Sequence, residues 1–272
     1  MHGRDAHANQ MQLLPAISLA QRELVRFIRQ PNRVIGALAT PIVFWLLIGA
    51  GMGRSFSGGG VTGGSGYMEY FFPGTIVMIL LFTAIFSTIS IIEDRREGFL
   101  QSVLVAPVTR MSIVLGKTLG GTVLATLQGL LFLLLAPTIG IKLTIGSALL
   151  ALAIMMLLSF ALTALGICIA WRMSSTAGFH AIMNLFLMPM WLLSGALFPI
   201  SGALGPMKWI MYLNPLTYGL AAMRAALYWG HSAIAQAGPG LAISLAISTL
   251  FAILMFVLAA RIARGHVSAD LQ

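Results

Sequence analysis

The chain alternates between long apolar stretches and short polar segments. A membrane-spanning helix needs about 20 apolar residues, and six stretches reach or approach that length. None of them contains Asp, Glu, Lys or Arg, and a charged residue at the centre of a membrane helix costs about 2.5–3.5 kcal/mol. The pattern predicts an all-α integral membrane protein with six transmembrane helices, which cover residues 34–53, 71–92, 118–141, 143–171, 173–199 and 238–260.

A different pattern precedes the first predicted span, over residues 12–30. Apolar side chains at helical spacing, among them Ile17, Leu24 and Phe27, share one face. The opposite face carries four arginines, Arg22, Arg26, Arg29 and Arg33. The segment is predicted to be an amphipathic helix in the membrane interface, with its apolar side in lipid and its arginines towards headgroups and water. Two roles stay open, a lipid anchor or a mechanical role in moving the first span.

Composition and charge agree with a membrane protein. The chain is 58% hydrophobic and 8% charged, whereas a soluble domain carries about 25% charged residues. A net charge of +9 would suggest nucleic acid as the partner of a soluble protein. In a membrane protein it indicates basic residues on the cytoplasmic side, against anionic lipids, so no nucleic-acid partner is expected.

Basic residues also predict the orientation. With six spans both termini lie on one side, and that side holds twelve of the 16 Lys and Arg residues. The other side holds Arg54, Lys142, Lys208 and Arg224. Because Lys and Arg concentrate in cytoplasmic loops, we expect a multi-pass protein of the cell (inner or plasma) membrane with both termini in the cytoplasm.

The loop after the second predicted span, residues 93–106, concentrates the charge of the chain. Five successive charged residues are followed by a glycine and by apolar residues at helical spacing, and Pro107 ends the run. A short helix with a charged head and an apolar face suits docking onto a partner, although a solvated turn is the alternative. The candidate partner contacts are Glu93, Asp94, Arg95, Arg96, Glu97, Gly98, Phe99 and Leu100.

A second unusual segment, residues 200–229, precedes the last predicted span. It is rich in Trp and Tyr, which favour the water–lipid boundary, and prolines interrupt any single long helix. A broken helix at membrane depth, as in a pathway gate, and an ordinary interfacial loop both fit. Aromatic, Met and amide side chains suit a pathway for hydrophobic or amphipathic cargo, and the candidates for a pathway or gate are Trp45, Phe82, Phe86, Asn184, Met188, Asn214, Pro215 and Tyr218.

Several motifs resemble those of type-2 ABC transporter permeases. They are Phe72-Pro73-Gly74, the stretch from Arg96-Glu97-Gly98 to Leu115-Gly116-Lys117, and Asn214-Pro215-Leu216-Thr217-Tyr218 with Arg224 after it. The resemblance implies that residues 93–106 form a coupling helix, 12–30 an elbow helix and 200–229 re-entrant helices. It also implies two copies of the permease, as a homodimer or with a second permease, and two copies of a separate ABC subunit that hydrolyses ATP.

The triplet Gly116-Lys117-Thr118 could be mistaken for a phosphate-binding loop. Such a loop has a glycine five residues before the second one, and that position holds Met111. Lys117 is therefore expected to reach the cytoplasmic interface, and ATP and Mg²⁺ are expected on the partner, with no cofactor on this chain. The histidines are scattered, so no metal site is predicted.

Together these features predict the permease of an ATP-driven exporter or efflux system rather than an enzyme. The expected cargo is a drug-like compound, a lipid or a lipid-linked saccharide. An ion-coupled secondary transporter is the first alternative, but it requires charged residues within the spans. An intramembrane lipid-modifying enzyme is the second, and it requires a cluster of His, Asp or Glu at one membrane face.

Overall fold

The computed structural model describes residues 2–29, 31–52, 66–98, 109–228 and 233–265. Within these ranges the chain forms α-helices joined by turns and by short 3-10 or π segments, so the prediction of an all-helical fold is confirmed there. The helices are α1 (His2–Ile28), α2 (Pro31–Met52), α3 (Tyr67–Ser87), α4 (Ile89–Arg96), α5 (Arg110–Leu133), α6 (Ile145–Ala170), α7 (Thr176–Trp191), α8 (Gly205–Leu213), α9 (Pro215–Leu227) and α10 (Leu241–Gly265).

Five helical stretches of the described chain are long and apolar enough to cross a membrane. They correspond to the second to sixth predicted spans and cover Tyr67–Arg96, Arg110–Leu133, Ile145–Ala170, Thr176–Ala196 and Leu241–Arg264. The first predicted span falls on α2, whose described apolar part, Leu38–Met52, is shorter. The described residues thus contain five candidate spans where the sequence predicted six, and the remaining span stays a prediction.

The third predicted span lies earlier in the chain than expected. The prediction began at residue 118, whereas α5 begins at Arg110 and ends at Leu133. Thr109 starts the helix, because its side-chain oxygen accepts a hydrogen bond from the free backbone N–H of Ser112. The predicted start was wrong because it excluded Lys117 from the helix, and the structure buries that cation among acidic partners.

The second predicted span continues into the charged segment. α3 ends at Ser87 and α4 follows directly after Thr88, so residues 93–96 form the last turn of α4. Ser87 and Thr88 each donate a side-chain hydrogen bond to a carbonyl of the preceding turn, a pattern that bends helices. The prediction that a separate helix begins at residue 93 is therefore wrong, because residues 93–96 end α4. The rest of the predicted helix, from residue 99 on, lies outside the described residues.

The fifth predicted span, residues 173–199, divides into α7 and a π segment, Leu192–Ala196. Gly195 within that segment has φ +90°, a conformation that a residue with a Cβ rarely adopts. The short helices α8 and α9 follow and are separated by Asn214. Two short α-helices and a 3-10 turn, Ile200–Gly202, therefore lie within the described part of residues 200–229, and their re-entry into the membrane stays a prediction.

Helix α3 forms the centre of the bundle and contacts α2, α5, α6 and α9. Every side chain from Tyr70 to Leu81 is buried. Phe72 stacks on Phe132 of α5 with 4.8 Å between ring centroids, and Trp45 of α2 packs edge-on against both rings. This core fixes the two ends of the α3–α4 stretch, and each end carries one of the polar sites described next.

Candidate coupling site and internal cavity

Six ionisable side chains from three helices meet where α4 ends. Three are acidic and three are basic, and the exposed Glu97 adds a fourth carboxylate at 3.6 Å from Arg26. We call this group the ion cluster, and it consists of Arg22, Glu23 and Arg26 of α1, Glu93 and Asp94 of α4, and Lys117 of α5. Helices far apart in the sequence are thereby joined at one point.

Lys117 occupies the buried centre of the cluster. Its Nζ lies 2.7 Å from Oε1 of Glu23 and 2.6 Å from Oδ2 of Asp94. The third hydrogen bond of the ammonium goes to Oγ of Ser90, at 3.0 Å. The residue is only 4% exposed, so protein groups rather than water or headgroups hold its ammonium, and its position relative to the membrane interface stays a prediction. Its three N–H donors all have acceptors, and this makes the burial of its charge tolerable.

Asp94 accepts hydrogen bonds from both arginines of α1 that belong to the cluster. Nη2 of Arg22 lies 2.8 Å from Oδ1 and its Nη1 lies 3.1 Å from Oδ2, a two-point contact. Nη1 of Arg26 lies 3.0 Å from Oδ1, and its Nη2 lies 2.9 Å from Oε2 of Glu93. The hydrogen bonds to Asp94 are the main reason why the pKa of Arg22 is raised above its ordinary value.

The side chains of α1 that were predicted to face lipid and headgroups differ in their exposure. Leu14 and Ile17 are exposed, as an apolar face in lipid requires. Arg22 and Arg26 do not point to headgroups, because both bind the carboxylates of α4. Arg29 is exposed, and the side chain of Arg33 lies outside the described part of the structure. Whether α1 lies in the membrane interface stays a prediction.

Two glycines of α5 provide the surface on which α1 lies. A Cβ added to Gly116 would stand 2.6 Å from the carbonyl oxygen of Ala16 and 2.9 Å from Cβ of Leu19. One added to Gly120 would stand 3.0 Å from Cβ of Glu23. The absence of side chains here lets α1 approach closely enough for Glu23 to reach Lys117. Gly116 therefore lets α1 pack closely against α5, and Lys117 binds α1 through Glu23.

The remaining residues predicted to contact a partner divide between inward and outward positions. Nη2 of Arg95 lies 2.7 Å from the carbonyl oxygen of Trp171, and Nη2 of Arg96 lies 2.9 Å from that of Ser174, so both bind the turn between α6 and α7. The side chain of Glu97 is 61% exposed. Gly98 follows with φ +74°, and Phe99 and Leu100 lie outside the described residues.

A cavity of about 490 Å³ opens beside the ion cluster, between α1, α2, α3 and α7. The structure brings four of the predicted pathway residues to its wall, Phe82, Phe86, Asn184 and Met188. The ring of His180 lies 5.1 Å from that of Phe86. Glu23 and Arg26 of the ion cluster line the cavity as well, so the space has an aromatic and apolar wall and one charged end.

The other pathway candidates lie away from this cavity. Trp45 is buried in the aromatic core, and its Nε1 donates to the carbonyl of Met68. Asn214 caps α9 by accepting from the N–H of Leu216, and Pro215 is the first residue of that helix. Tyr218 donates its hydroxyl hydrogen to the carbonyl of Tyr212. The structure gives these residues structural contacts, and a role in transport stays a prediction for all eight candidates.

The opposite end of the bundle contains a buried cation that, among the described residues, has no carboxylate in contact. Arg224 is 2% exposed, and its Nη2 lies 2.7 Å from the carbonyl oxygen of Gly195. The hydroxyl of Tyr70 donates to the same oxygen at 2.8 Å, and the guanidinium lies 4.2 Å from the centre of the Tyr70 ring. Tyr67 donates to the carbonyl of Leu197. We call this group the outer junction, and it ties α9 and α3 to the break after α7.

Replacing Arg224 with methionine is expected to destabilise the protein. The change removes a charge-assisted hydrogen bond and a cation–π contact, and hydrogen bonds to charged groups contribute about 1.5–3 kcal/mol. We expect the free energy of unfolding in detergent, measured by SDS titration, to fall by about that amount. The matched control is Lys208→Met, because Lys208 of α8 is only partly buried. An equal effect of both changes would contradict the assigned role.

Sequence reasoning missed Glu23, Lys117 and Arg224 as parts of polar sites. Lys117 stood next to an apolar run, and nothing local marks its partners, which lie 94 and 23 positions away in the chain. Glu23 was the usable signal, because it is the acidic residue among the arginines of the amphipathic segment. Among the described residues, no group of three or more His, Cys, Asp or Glu side chains is arranged to hold a metal ion.

The chain is similar in sequence to known transport permeases. The sequence profile of the ABC-2 type transporters matches residues 16–228. The putative transport permease ycf38 of Cyanophora paradoxa is 27% identical over 209 residues, which cover 76% of this chain and 71% of that protein. Nodulation protein J of Sinorhizobium fredii (strain NBRC 101917 / NGR234) is 28% identical over 227 residues, or 83% of each protein. Since the profile extends from α1 to the end of α9, this chain belongs to the ABC-2 type transporter family and is a multi-pass membrane permease.

Proposed function

We propose that this chain is the permease of an ATP-driven exporter, which works with a second permease copy and two copies of an ABC subunit that hydrolyses ATP. Family membership implies such an ABC partner. A homodimer is the simplest assembly, and a heterodimer with another permease is the alternative. ATP and Mg²⁺ would bind the partner, and this chain would supply the pathway and the surface on which the partner acts.

The observation that carries the proposal is the position of the ion cluster. It lies at the end of α4, immediately before residues 99–108, and it joins that end to α1 and α5. Arg95 and Arg96 join the same end to the turn before α7. A force applied by a partner at Glu97 and the residues after it would therefore reach several helices, and this is what a coupling element requires.

The distribution of basic residues supports a cytoplasmic position for this end. Arg95 and Arg96 lie here, and Arg110 donates to the carbonyls of Ala263 and Arg264 at the end of α10. Because Lys and Arg concentrate on the cytoplasmic side of a membrane, we propose that the ion cluster and both termini face the cytoplasm of a cell membrane. The outer junction would then face the exterior.

The cavity supports a hydrophobic or amphipathic cargo. Its volume of about 490 Å³ falls within the range of about 300–1,000 Å³ that is usual for small-molecule sites. Aromatic and Met side chains line one part of it, and Glu23 and Arg26 line another. A drug-like amphiphile, a lipid or a lipid-linked saccharide would find both kinds of surface. We propose that such cargo leaves outward from the cytoplasm or the inner leaflet.

The structure also gives the ion-coupled alternative one supporting observation. Glu23 and Asp94 are buried carboxylates, and buried carboxylates are the groups that proton-coupled transporters use. Both accept hydrogen bonds from cations at 2.6–2.8 Å, and this pairing favours a structural link over a proton carrier. Uptake of protons by the purified permease during transport without nucleotide would instead favour the alternative.

The test of the proposed function is a charge reversal at Glu97. We expect Glu97→Arg to reduce both co-purification of the ABC subunit and ATP-dependent transport in vesicles, because this exposed carboxylate belongs to residues 93–106, which are predicted to dock on that subunit. The matched control is Lys142→Glu, a reversal at an exposed lysine at the opposite end of the bundle. Transport by the permease alone, driven by an ion gradient, would overturn the proposal.

A further inference from the structure

We propose that an open pocket next to the outer junction binds the phosphate of an anionic phospholipid, with Lys208 of α8 as the group that contacts it. We call this space the headgroup pocket. It has a volume of about 380 Å³ and lies between residues 200–212 and residues 233–238. The inference goes beyond the proposed function, because binding of a lipid here requires neither ATP nor a partner subunit.

The position of the headgroup pocket along the chain places it at the boundary of the membrane. The candidate span Thr176–Ala196 ends shortly before Ile200, and α10 begins at Leu241, shortly after Gly238. Phospholipid headgroups lie where the hydrocarbon core ends, at the ends of the spanning helices. A ligand that enters this pocket from the bilayer would therefore bring its headgroup to it.

The polar groups of the pocket suit an anion. Lys208 is the only cation among the described residues that line it, and none of those residues is Asp or Glu. Within the described chain no carboxylate forms an ion pair with Lys208. Ser201, Tyr212 and Gln236 add hydroxyl and amide donors. A phosphate would supply the missing negative charge and accept these hydrogen bonds, whereas a zwitterionic headgroup would leave its own cation without a carboxylate.

A buried cation behind the pocket adds to this preference. Arg224 is 2% exposed, and its Nε has no hydrogen-bond partner among the described residues. A Cβ added to Gly195 would stand 3.7 Å from Cγ1 of Ile200 and 4.0 Å from Nη1 of Arg224. Ile200, which lines the pocket, and the guanidinium thus border the same glycine. Because salt screens buried charges much less than exposed ones, Arg224 raises the positive potential of the pocket.

The surface beside the pocket favours a lipid over a free phosphate. Lys208 and Tyr212 are one helical turn apart and both line the pocket. The residues that follow them, Trp209 and Leu213, are 74% and 81% exposed. An apolar strip therefore runs along α8 next to the polar one, and Trp is a residue that favours the level of the headgroups. Acyl chains would cover this strip, but a free phosphate would leave it uncovered.

The wall of the pocket opposite α8 is held in place by packing. Ile234 is fully buried. A Cβ added to Gly238 would stand 3.0 Å from Cβ of Ala221, so this segment lies closely against α9. The pocket thus exists before a lipid binds, and substitutions of its exposed polar residues, Lys208 excepted as partly buried, leave this packing intact.

The experiment measures thermal unfolding of the purified, delipidated full-length permease in detergent. Three probes are titrated at constant ionic strength: dioctanoyl phosphatidylglycerol, dioctanoyl phosphatidylcholine and inorganic phosphate. A ligand that binds the folded state raises the unfolding temperature as its site fills. We expect phosphatidylglycerol to stabilise the unchanged chain in a saturable way, phosphatidylcholine to do so less, and phosphate not at all.

The variants locate the effect. Lys208→Gln should weaken the apparent affinity for phosphatidylglycerol about tenfold, because it removes a charge-assisted hydrogen bond. Gln236→Glu should also weaken it, because it places a carboxylate in the pocket. The matched control Lys142→Gln, which removes an exposed cation at the same end of the bundle, should leave it unchanged.

Three results would overturn the inference while leaving the family membership and the proposed function intact. Equal stabilisation by phosphatidylcholine would refute the anionic class of ligand. Stabilisation by inorganic phosphate at the same concentration would show a site for a free anion instead of a lipid. An unchanged affinity in both Lys208→Gln and Gln236→Glu, or an equal loss in Lys142→Gln, would show that the lipid does not bind in the headgroup pocket.

Discussion

Replacing Asp94 with alanine is expected to lower the free energy of unfolding by about 3–5 kcal/mol, because it removes one partner of a buried ion pair and leaves charge uncompensated. The side chain is fully buried and accepts hydrogen bonds from Arg22, Arg26 and Lys117. Without it, Lys117 would retain Glu23 and Ser90 as its acceptors among the described residues. SDS titration of the purified permease in detergent measures the loss.

A double substitution separates the lost pair from general damage to the helix. Combining Asp94→Ala with Lys117→Met removes one acid and one base together, so the combined loss should be smaller than the sum of the single losses by about 0.5–3 kcal/mol. Glu97→Ala is the control, because this exposed carboxylate stands 3.6 Å from Arg26 and an exposed pair contributes about 0–1 kcal/mol. A loss below about 1 kcal/mol for Asp94→Ala would show that Asp94 is not paired and buried as described.

Long apolar runs made the helical architecture predictable from the sequence alone. A helix in lipid must satisfy its own backbone and present apolar side chains over about 20 residues, so each span leaves a local signal. The signal fails at helix ends where a charge is buried by partners, and the start of α5 was misplaced for that reason. It also fails at the junction of α3 and α4, where side-chain hydrogen bonds of Ser87 and Thr88 interrupt the helix without a glycine or proline.

The candidate site was only half predictable, because its residues come together through tertiary contacts. The charged segment 93–98 was visible as a local concentration of charge, yet the sequence could not show that Asp94 points inward while Glu97 points outward. Spacing alone assigned Arg22 and Arg26 to the polar face of α1. Which polar group that face meets depends on how closely α1 approaches α5, and this distance is determined by two glycines that carry no chemical signal.

Adding a methyl group at Gly116 is therefore the second substitution with a large expected effect. The new Cβ would lie 2.6 Å from the backbone oxygen of Ala16 and 3.1 Å from its Cα. A flexible side chain could move aside, but here the obstacle is backbone, so α1 as a whole must shift away. Overpacking of this kind costs about 1–3 kcal/mol, and we expect Gly116→Ala to lower the free energy of unfolding by that amount in SDS titration.

The sign of the effect is what makes this test informative. Alanine in place of glycine within a helix ordinarily stabilises it by about 0.5–1 kcal/mol, and Gly51 of α2, with no atom within 4 Å of an added Cβ, should follow that rule. Opposite signs for Gly116→Ala and Gly51→Ala would locate the cost at the α1–α5 contact. The shift would also move Glu23 away from Lys117 and so weaken the ion cluster. Stabilisation by both substitutions would mean that α1 does not lie against α5 as closely as described, and the ion cluster would then lose its geometric basis.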